Sequence, residues 1–219
     1  MKLRALVFDL DGTLIDGYDA IESALAHAMR ALGREPPGRA EVREMVGHGL
    51  EKLLEEAVGT ALADDGVRLF REYYPSVAAE KSRLLPGVEH VLHSLQDSGR
   101  VLSVASNKPP RFSRLILEAK GVAGVFRAIV GPDPRHPPKP DPSMLFEAME
   151  VMGSRPEETV CVGDMEVDVE FARAAGVRSI VVPTGSRSRA FLETAGADLL
   201  IDDLSGLPAA LAAMSPPSL

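Results

Sequence analysis

The sequence predicts an α/β fold in which a doubly wound, Rossmann-like parallel sheet carries an inserted α-helical cap domain. Three observations predict this fold. Short apolar runs alternate with amphipathic helical stretches along most of the chain, which is the order of a parallel sheet covered by helices. The runs lack clean polar alternation, as expected of strands that are buried on both faces. About ninety residues that read as helix separate the first run from the second.

The predicted strands are rich in Val, Ile and Leu. They are Ala5–Phe8, Val101–Ala105, Ala128–Val130, Thr159–Val162, Ser179–Val182 and Asp198–Ile201. The spacing of apolar residues between them predicts helices at Val88–Ser98, Pro110–Lys120, Pro142–Met152, Val167–Ala175 and Ser205–Ala213.

The interval from Ile15 to Leu85 is predicted to be helical throughout. Its helices are expected at Asp19–Leu32, Ala40–Val46, Leu50–Val58 and Val67–Ala79, with breaks at Pro36-Pro37-Gly38 and Gly47-His48-Gly49. We therefore predict a helical cap domain of residues 15–85 and an α/β core domain of residues 1–14 and 86–219. Residues Ser215–Leu219 are expected to form a frayed tail.

Composition excludes several classes of protein. The 219 residues are 45% hydrophobic and 26% charged, which is typical of globular proteins and excludes disorder. Cys161 is the only cysteine and lies in an apolar run, so we expect it to be buried and unpaired. The net charge of −8 disfavours nucleic acid as a partner.

Membrane association is not expected either. No apolar run approaches the ~20 residues of a membrane helix, and the apolar run before Asp9 is too short for a signal peptide. We expect a soluble, cytoplasmic protein with no membrane partner, acting as a monomer or a homodimer.

The strongest motif is Phe-Asp-Leu-Asp-Gly-Thr-Leu at Phe8–Leu14, where the first strand ends. Open α/β sheets bind ligands beyond the carboxyl ends of their strands. An ordinary Asp-Gly turn would explain Gly12 but not the two acids, Asp9 and Asp11, at the end of an apolar strand.

Three more polar clusters follow later strands. They are Ser106-Asn107-Lys108-Pro109, Lys139-Pro140-Asp141-Pro142 and Gly163-Asp164-Met165-Glu166-Val167-Asp168. Each alone could be a helix cap or a turn. Together they place polar groups at one sheet edge, and Asn107 is the only asparagine of the chain. The four clusters predict a single site.

In order and spacing these clusters resemble the four motifs of the haloacid dehalogenase superfamily of phosphotransferases, and the helical insert lies where that superfamily places its α-helical cap. Within it, Val46–Gly49, Leu85–Val88 and Ser106–Pro109 resemble the phosphoglycolate phosphatase group. The resemblance implies a Mg²⁺-dependent phosphatase that hydrolyses small phosphate monoesters through an aspartyl-phosphate. The implied partner is a small phosphorylated metabolite, and 2-phosphoglycolate is the leading substrate.

The resemblance also implies a role for individual residues. Asp9 would attack phosphorus, and Asp11 would act as acid and then base. The carboxylates of Asp9 and Asp164 and the backbone carbonyl of Asp11 would ligate Mg²⁺, with Asp168 supporting them from behind. The groups expected to bind phosphate belong to Gly12, Thr13, Ser106, Asn107 and Lys139.

Other side chains are expected to have lesser roles. Candidates for reading the leaving group from the cap are Arg43, His48 and Lys52. Asp16 and Asp19 are expected to cap the first cap helix. Lys108 is expected to be a solvated loop charge, and Tyr73 and Tyr74 are expected to pack within the cap.

Alternatives within the superfamily and outside it stay open at this point. Asp11 argues against a haloacid dehalogenase or a phosphonatase, because neither needs an acid there. Ile21 stands where a sugar-phosphate mutase would carry a histidine, which disfavours a mutase. A pyrophosphatase or nucleotide phosphatase stays possible. A non-catalytic binding protein is disfavoured, since Asp9, Asp11 and Asp164 are all present.

Overall fold

The central sheet has the predicted architecture. A computed structural model describes residues 3–214, and within them six strands form one parallel sheet in the order β5-β4-β1-β6-β7-β8. The strands are β1 Ala5–Phe8, β4 Val101–Ala105, β5 Phe126–Val130, β6 Thr159–Gly163, β7 Arg178–Val181 and β8 Leu199–Leu200, with β2 Ile15–Asp16 and β3 Arg83–Leu84 outside this sheet. Strand β1 is central: Ala5 is in register with Val101 on one side and with Thr159 on the other.

Helices pack on both faces of the sheet and also form the segment between β2 and β3. They are α1 Tyr18–Ala31, α2 Arg39–Met45, α3 Leu50–Val58, α4 Ala63–Lys81, α5 Val88–Asp97, α6 Pro110–Ala119, α7 Ser143–Met152, α8 Glu166–Ala174, α9 Arg189–Leu192 and α10 Leu207–Met214. Leu6 and Phe8 pack in the core shared with α5, α6 and α10. Ala5 and Val7 pack on the opposite face, against α7 and α8. Both faces of β1 are therefore buried, which confirms the doubly wound α/β fold.

The predicted boundaries lie close to the observed ones. Both ends of each predicted strand lie within two residues of the ends of the corresponding observed strand. Helix α4 begins four residues earlier than predicted. The short helix α9 was not predicted. Cys161 is buried as expected, and burial raises the pKa of its thiol to about 12. The predicted frayed tail, Ser215–Leu219, lies outside the described residues.

The interval after β1 departs from the prediction at both ends. Strands β2 and β3 pair antiparallel, Ile15 opposite Leu84, so the interval is not helical throughout. Backbone pairing over two residues is too short to give a periodic pattern in sequence. This ribbon brings the two ends of helices α1–α4 together. We call residues 18–81 the helical segment; the division into cap and core domains stays a prediction.

The two aspartates near the start of α1 have different environments. The helix begins after Gly17 without a side-chain cap, although Asp16 Oδ1 accepts a hydrogen bond from the Tyr18 amide at 3.3 Å. Asp19 pairs instead with Arg39 at 2.6 Å and with Arg83 at 2.9 Å. The prediction that Asp19 caps the helix is wrong, because these two arginines neutralise it.

Within residues 3–214, no helix combines the length and the apolar character that a membrane span requires.

Packing of the helical segment predicts a large effect of one core substitution. Leu54 on α3 is fully buried against α4, whereas Leu69 on α4 is only partly buried. Leu54→Ala should lower the free energy of unfolding by about 2–5 kcal/mol, because it leaves a cavity. Leu69→Ala should cost clearly less. Urea unfolding followed by circular dichroism measures both, and equal losses would contradict the packing described.

Candidate active site

The functional candidates converge at the carboxyl edge of the sheet. Strand β1 lies between β4 and β6, so the loops that follow these three strands are neighbours. The chain runs from β1 to β4 and β5 on one side, then returns to β6 on the other. Ligands of open α/β sheets bind where the strand order reverses in this way. The fold thus brings the four motif loops together, as the sequence predicts.

Lys139 links the first motif to the last. Its ammonium lies 2.7 Å from Asp9 Oδ1 and 2.7 Å from Asp168 Oδ1, and only 1% of its side chain is exposed. Burial opposes the charge on Lys139, but Asp168 and Asp9 outweigh it and raise its pKa. Lys139 is therefore a fixed cation beside Asp9.

Asp168 contacts the loop after β6 in addition to pairing with Lys139. Its Oδ2 accepts hydrogen bonds from the backbone amides of Asp164 at 3.2 Å and Met165 at 3.1 Å. Any side chain at Gly163 would overlap the Asp168 carboxyl group, which explains the glycine there. Burial raises the pKa of Asp168 even though Lys139 opposes the shift. This carboxylate positions other groups and is fully occupied in doing so.

Asp164 is the least compensated acid in the site. Its Oδ1 accepts a hydrogen bond from the Thr13 hydroxyl at 2.9 Å, while its buried Oδ2 has no hydrogen-bond partner within the described chain. Burial, together with the charges of Asp9 and Asp168, raises the pKa of Asp164 well above its usual range. A buried carboxylate oxygen without a donor in the chain is a group that a bound cation or an ordered water satisfies.

The donors around Asp164 fit a Mg²⁺ ion. Within residues 3–214 no three His, Cys, Asp or Glu side chains form a ready-made metal cluster. Mg²⁺ does not need one, because it commonly takes one or two carboxylates and completes its shell with waters and other oxygens. A Cβ at Gly12 or Gly185 would overlap Asp164 Oδ2, so glycine at these two positions leaves room for the carboxylate. The residues present therefore suit the predicted ion.

Lys108 is buried, so the prediction of a solvated loop charge is wrong. Its ammonium lies 2.9 Å from Asp11 Oδ2 and donates a hydrogen bond to the Tyr74 hydroxyl at 2.9 Å, with 7% of the side chain exposed. Burial opposes the charge, but Asp11 and Tyr74 raise the pKa of Lys108 overall. Tyr74 is buried in the helical segment as expected, yet it also reaches this loop.

Two predicted phosphate-binding amides are used elsewhere. The Gly12 amide donates to the Ile15 carbonyl at 2.8 Å, and the Thr13 amide donates to the Leu10 carbonyl at 3.3 Å. Both bonds belong to the turn after β1, which corrects the prediction for Gly12 and Thr13. Among the described residues, the amides of Leu10 and Asp11 have no backbone acceptor.

Asn107, predicted to bind phosphate, has two partners within the chain. Its Nδ2 donates to the Gly47 carbonyl at 2.9 Å, and its Oδ1 accepts from the Lys139 amide at 2.7 Å. Both ends of the side-chain amide are thus engaged, and Asn107, which also lines the cavity described next, joins the helical segment to the Lys139 loop. Ser106 is buried on the same loop and lines the cavity described next.

A cavity lies between this sheet edge and the helical segment. Asp9, Asp11, Ser106 and Lys139 line its polar end. The helical segment contributes mainly apolar side chains, which are Tyr18, Ile21, Val46, Leu50, Leu53 and Phe70.

The predicted leaving-group residues are not among the cavity-lining side chains. Arg43 donates to the Gly185 carbonyl at 3.0 Å and lies over the Tyr18 ring, and Lys52 is exposed. His48 is part-exposed and likewise does not line the cavity. The prediction placed them by their proximity to the Gly47–Gly49 break, but their side chains lie outside the cavity wall.

Sequence reasoning missed three contributors to the site. Gly185 leaves room for Asp164, and Thr184 donates to the Gly12 carbonyl at 2.6 Å. Tyr74 holds Lys108. Nothing in the local pattern marks any of them, because each acts on a residue distant along the chain.

Comparison with known proteins agrees with this geometry. Residues 6–182 match the family described as haloacid dehalogenase-like hydrolase. The chain is 34% identical over 213 residues to a phosphoglycolate phosphatase of Pseudomonas putida, covering 93% of this chain and 78% of that protein. It is 32% identical over 183 residues to a phosphoglycolate phosphatase of Aquifex aeolicus, covering 84% and 86% respectively.

A solved structure has the same fold. A predicted phosphatase from Clostridium acetobutylicum superposes with a TM-score of 0.87 at 27% identity, covering 98% of this chain and 100% of the other. With the motif geometry and the family match over most of its length, the chain belongs to the haloacid dehalogenase-like hydrolase family.

Proposed function

We propose that this hydrolase is a Mg²⁺-dependent phosphatase that cleaves small phosphate monoesters through an aspartyl-phosphate, with 2-phosphoglycolate as the leading substrate. The observation that carries the proposal is the pairing of Asp9 with a buried lysine, next to the uncompensated carboxylate of Asp164. The relatives named phosphoglycolate phosphatase support the choice of substrate.

Mg²⁺ would be held by the carboxylates of Asp9 and Asp164 and by the backbone carbonyl of Asp11. When bound, the ion offsets the repulsion between an aspartate and a phosphate dianion and polarises the phosphoryl oxygens. Thr13 orients Asp164 through its hydroxyl, and Asp168 holds the loop from behind.

In the first step Asp9 attacks phosphorus and the bond to the leaving oxygen breaks. Asp11 gives its proton to that oxygen, so the product leaves as an alcohol. Phosphoryl transfer depends on positive groups placed around the transferred oxygens. Lys139 supplies one such charge, and the Ser106 hydroxyl and the amides of Leu10 and Asp11 supply neutral donors.

In the second step Asp11, now a carboxylate, takes a proton from water. The water oxygen bonds to phosphorus, the acyl–phosphate bond breaks, and Asp9 is regenerated with inorganic phosphate released. Asp11 lies two residues beyond Asp9 on the same turn, which lets one carboxyl group serve both steps.

The helical segment, within the predicted cap of residues 15–85, would cover this chemistry. Its apolar wall lowers the local polarity around the reacting groups, which strengthens the charged contacts. The Asn107–Gly47 hydrogen bond ties that cover to the loop carrying Lys139.

Phosphate release from a panel of esters tests the proposal. The panel contains 2-phosphoglycolate, pyrophosphate, nucleoside monophosphates and β-glucose 1-phosphate, each with Mg²⁺ and with EDTA. We expect release that requires Mg²⁺ and is fastest with 2-phosphoglycolate. Release that favours another ester would retain the mechanism and replace the substrate. No release from any ester by folded, Mg²⁺-supplied protein would overturn the proposal.

Removing the nucleophile should abolish turnover. Asp9→Asn keeps the shape of the side chain but removes the anionic oxygen, so kcat should fall by roughly 10³-fold or more. Asp97→Asn, at an exposed position on α5, is the matched control and should retain the parental kcat. A steady-state assay with 2-phosphoglycolate measures both, and an active Asp9→Asn enzyme would rule out the proposed nucleophile.

Filling the space beside Asp164 should weaken Mg²⁺ binding. A methyl group at Gly185 would overlap Asp164 Oδ2 and displace the carboxylate. Gly185→Ala should raise the Mg²⁺ concentration for half-maximal activity by about 10–100-fold, as other changes behind metal ligands do. Gly206→Ala, where a Cβ meets nothing closer than 3.7 Å, is the control. Identical Mg²⁺ titrations of the two variants would mean that Asp164 does not bind the ion.

A further inference from the structure

We propose that Lys108 binds a carboxylate on the leaving group, so that the enzyme selects small phosphorylated carboxylic acids over neutral esters of the same size. This inference rests on the proposed function, because it names the residue that gives the same site its specificity.

Lys108 lies where a leaving group would be. It lines the cavity, and its ammonium is 2.9 Å from Oδ2 of Asp11, the acid that faces the leaving oxygen in the proposed mechanism. In 2-phosphoglycolate the carboxylate is one carbon from that oxygen. A cation next to Asp11 is therefore within reach of the carboxylate once the phosphoryl group lies against Asp9.

No other cation is as well placed. Among the described residues that line the cavity, the positively charged side chains are Lys108 and Lys139. Lys139 already holds Asp9 and Asp168. Arg43 is directed to the Gly185 carbonyl and does not line the cavity.

Lys108 has a donor to spare. A lysine ammonium carries three N–H groups. Within the described chain, Asp11 and Tyr74 take two of them, each at 2.9 Å. The third can serve a substrate carboxylate while the two existing contacts keep the ammonium in place. Since the lysine side chain is nearly enclosed, a substrate carboxylate would displace little water when it forms this charged hydrogen bond.

The rest of the wall disfavours polyhydroxylated leaving groups. Ile21, Leu50, Leu53, Phe70 and Phe112 line the cavity and offer no side-chain hydrogen bond to a sugar hydroxyl. Burying a hydroxyl without a partner opposes binding. A compact acid whose polar end meets Lys108 suits this cavity better than a sugar phosphate.

Two substrates and three variants test the inference. Values of kcat/KM are measured with Mg²⁺ for 2-phosphoglycolate and for ethyl phosphate, which has a leaving group of similar size without a carboxylate. The parent enzyme should prefer 2-phosphoglycolate. Lys108→Met should lose about 10–100-fold on 2-phosphoglycolate, as expected for one hydrogen bond to a charged group, and only a few-fold on ethyl phosphate. Lys108→Arg should restore much of the preference. Lys81→Met, at an exposed lysine on α4, should leave both values unchanged.

Equal losses on the two esters would overturn the inference, because Lys108 would then only position Asp11. Equal kcat/KM values in the parent enzyme would overturn it without any variant, so the test does not depend on Lys108→Met folding. In both of these outcomes Mg²⁺-dependent phosphate release persists and the proposed function survives. Hydrolysis of neither ester would overturn 2-phosphoglycolate as the substrate and the inference with it, and the full ester panel then tests the mechanism separately.

Discussion

The site is organised by an imbalance of buried charge. Asp9, Asp164 and Asp168 lie around one buried lysine, so three carboxylates face a single ammonium. Lys139 pairs with both Asp9 and Asp168, while Asp164 keeps an oxygen without a donor. Isolated buried charges cost several kcal/mol each, so this arrangement is stable only with a further cation or with a shared proton. The glycines behind Asp164 and the Thr13 hydroxyl all serve to keep that carboxylate in place.

A second constraint joins the helical segment to the sheet. The loop after β4 contributes Asn107, which bonds Gly47 and the Lys139 amide, and Lys108, which bonds Asp11 and Tyr74. Each side chain has one partner in the helical segment and another among the catalytic loops. Any movement of the helical segment would therefore shift the groups that contact Lys139 and Asp11. The proposed substrate contact of Lys108 and the proposed chemistry therefore depend on the same loop.

The sequence predicted what depends on local pattern and on position along a strand. The buried strands could be recognised from their unbroken apolar character, and the acids of the motifs from their place at strand ends. It missed Lys108, whose burial depends on Tyr74, 34 residues earlier in the chain. It also misassigned the Gly12 and Thr13 amides, because turn hydrogen bonds take them. It could not show that Arg43, His48 and Lys52 lie outside the cavity wall, because that wall is defined only in three dimensions.

The proposed mechanism depends most directly on a phosphoryl group carried by Asp9. Rapid quenching during turnover of 2-phosphoglycolate, followed by borohydride reduction and peptide mass spectrometry, locates such an acyl phosphate by its conversion to an alcohol. The account predicts reduction at Asp9 that depends on both substrate and Mg²⁺. Turnover without modification of Asp9, or with the modification at another residue, would contradict it.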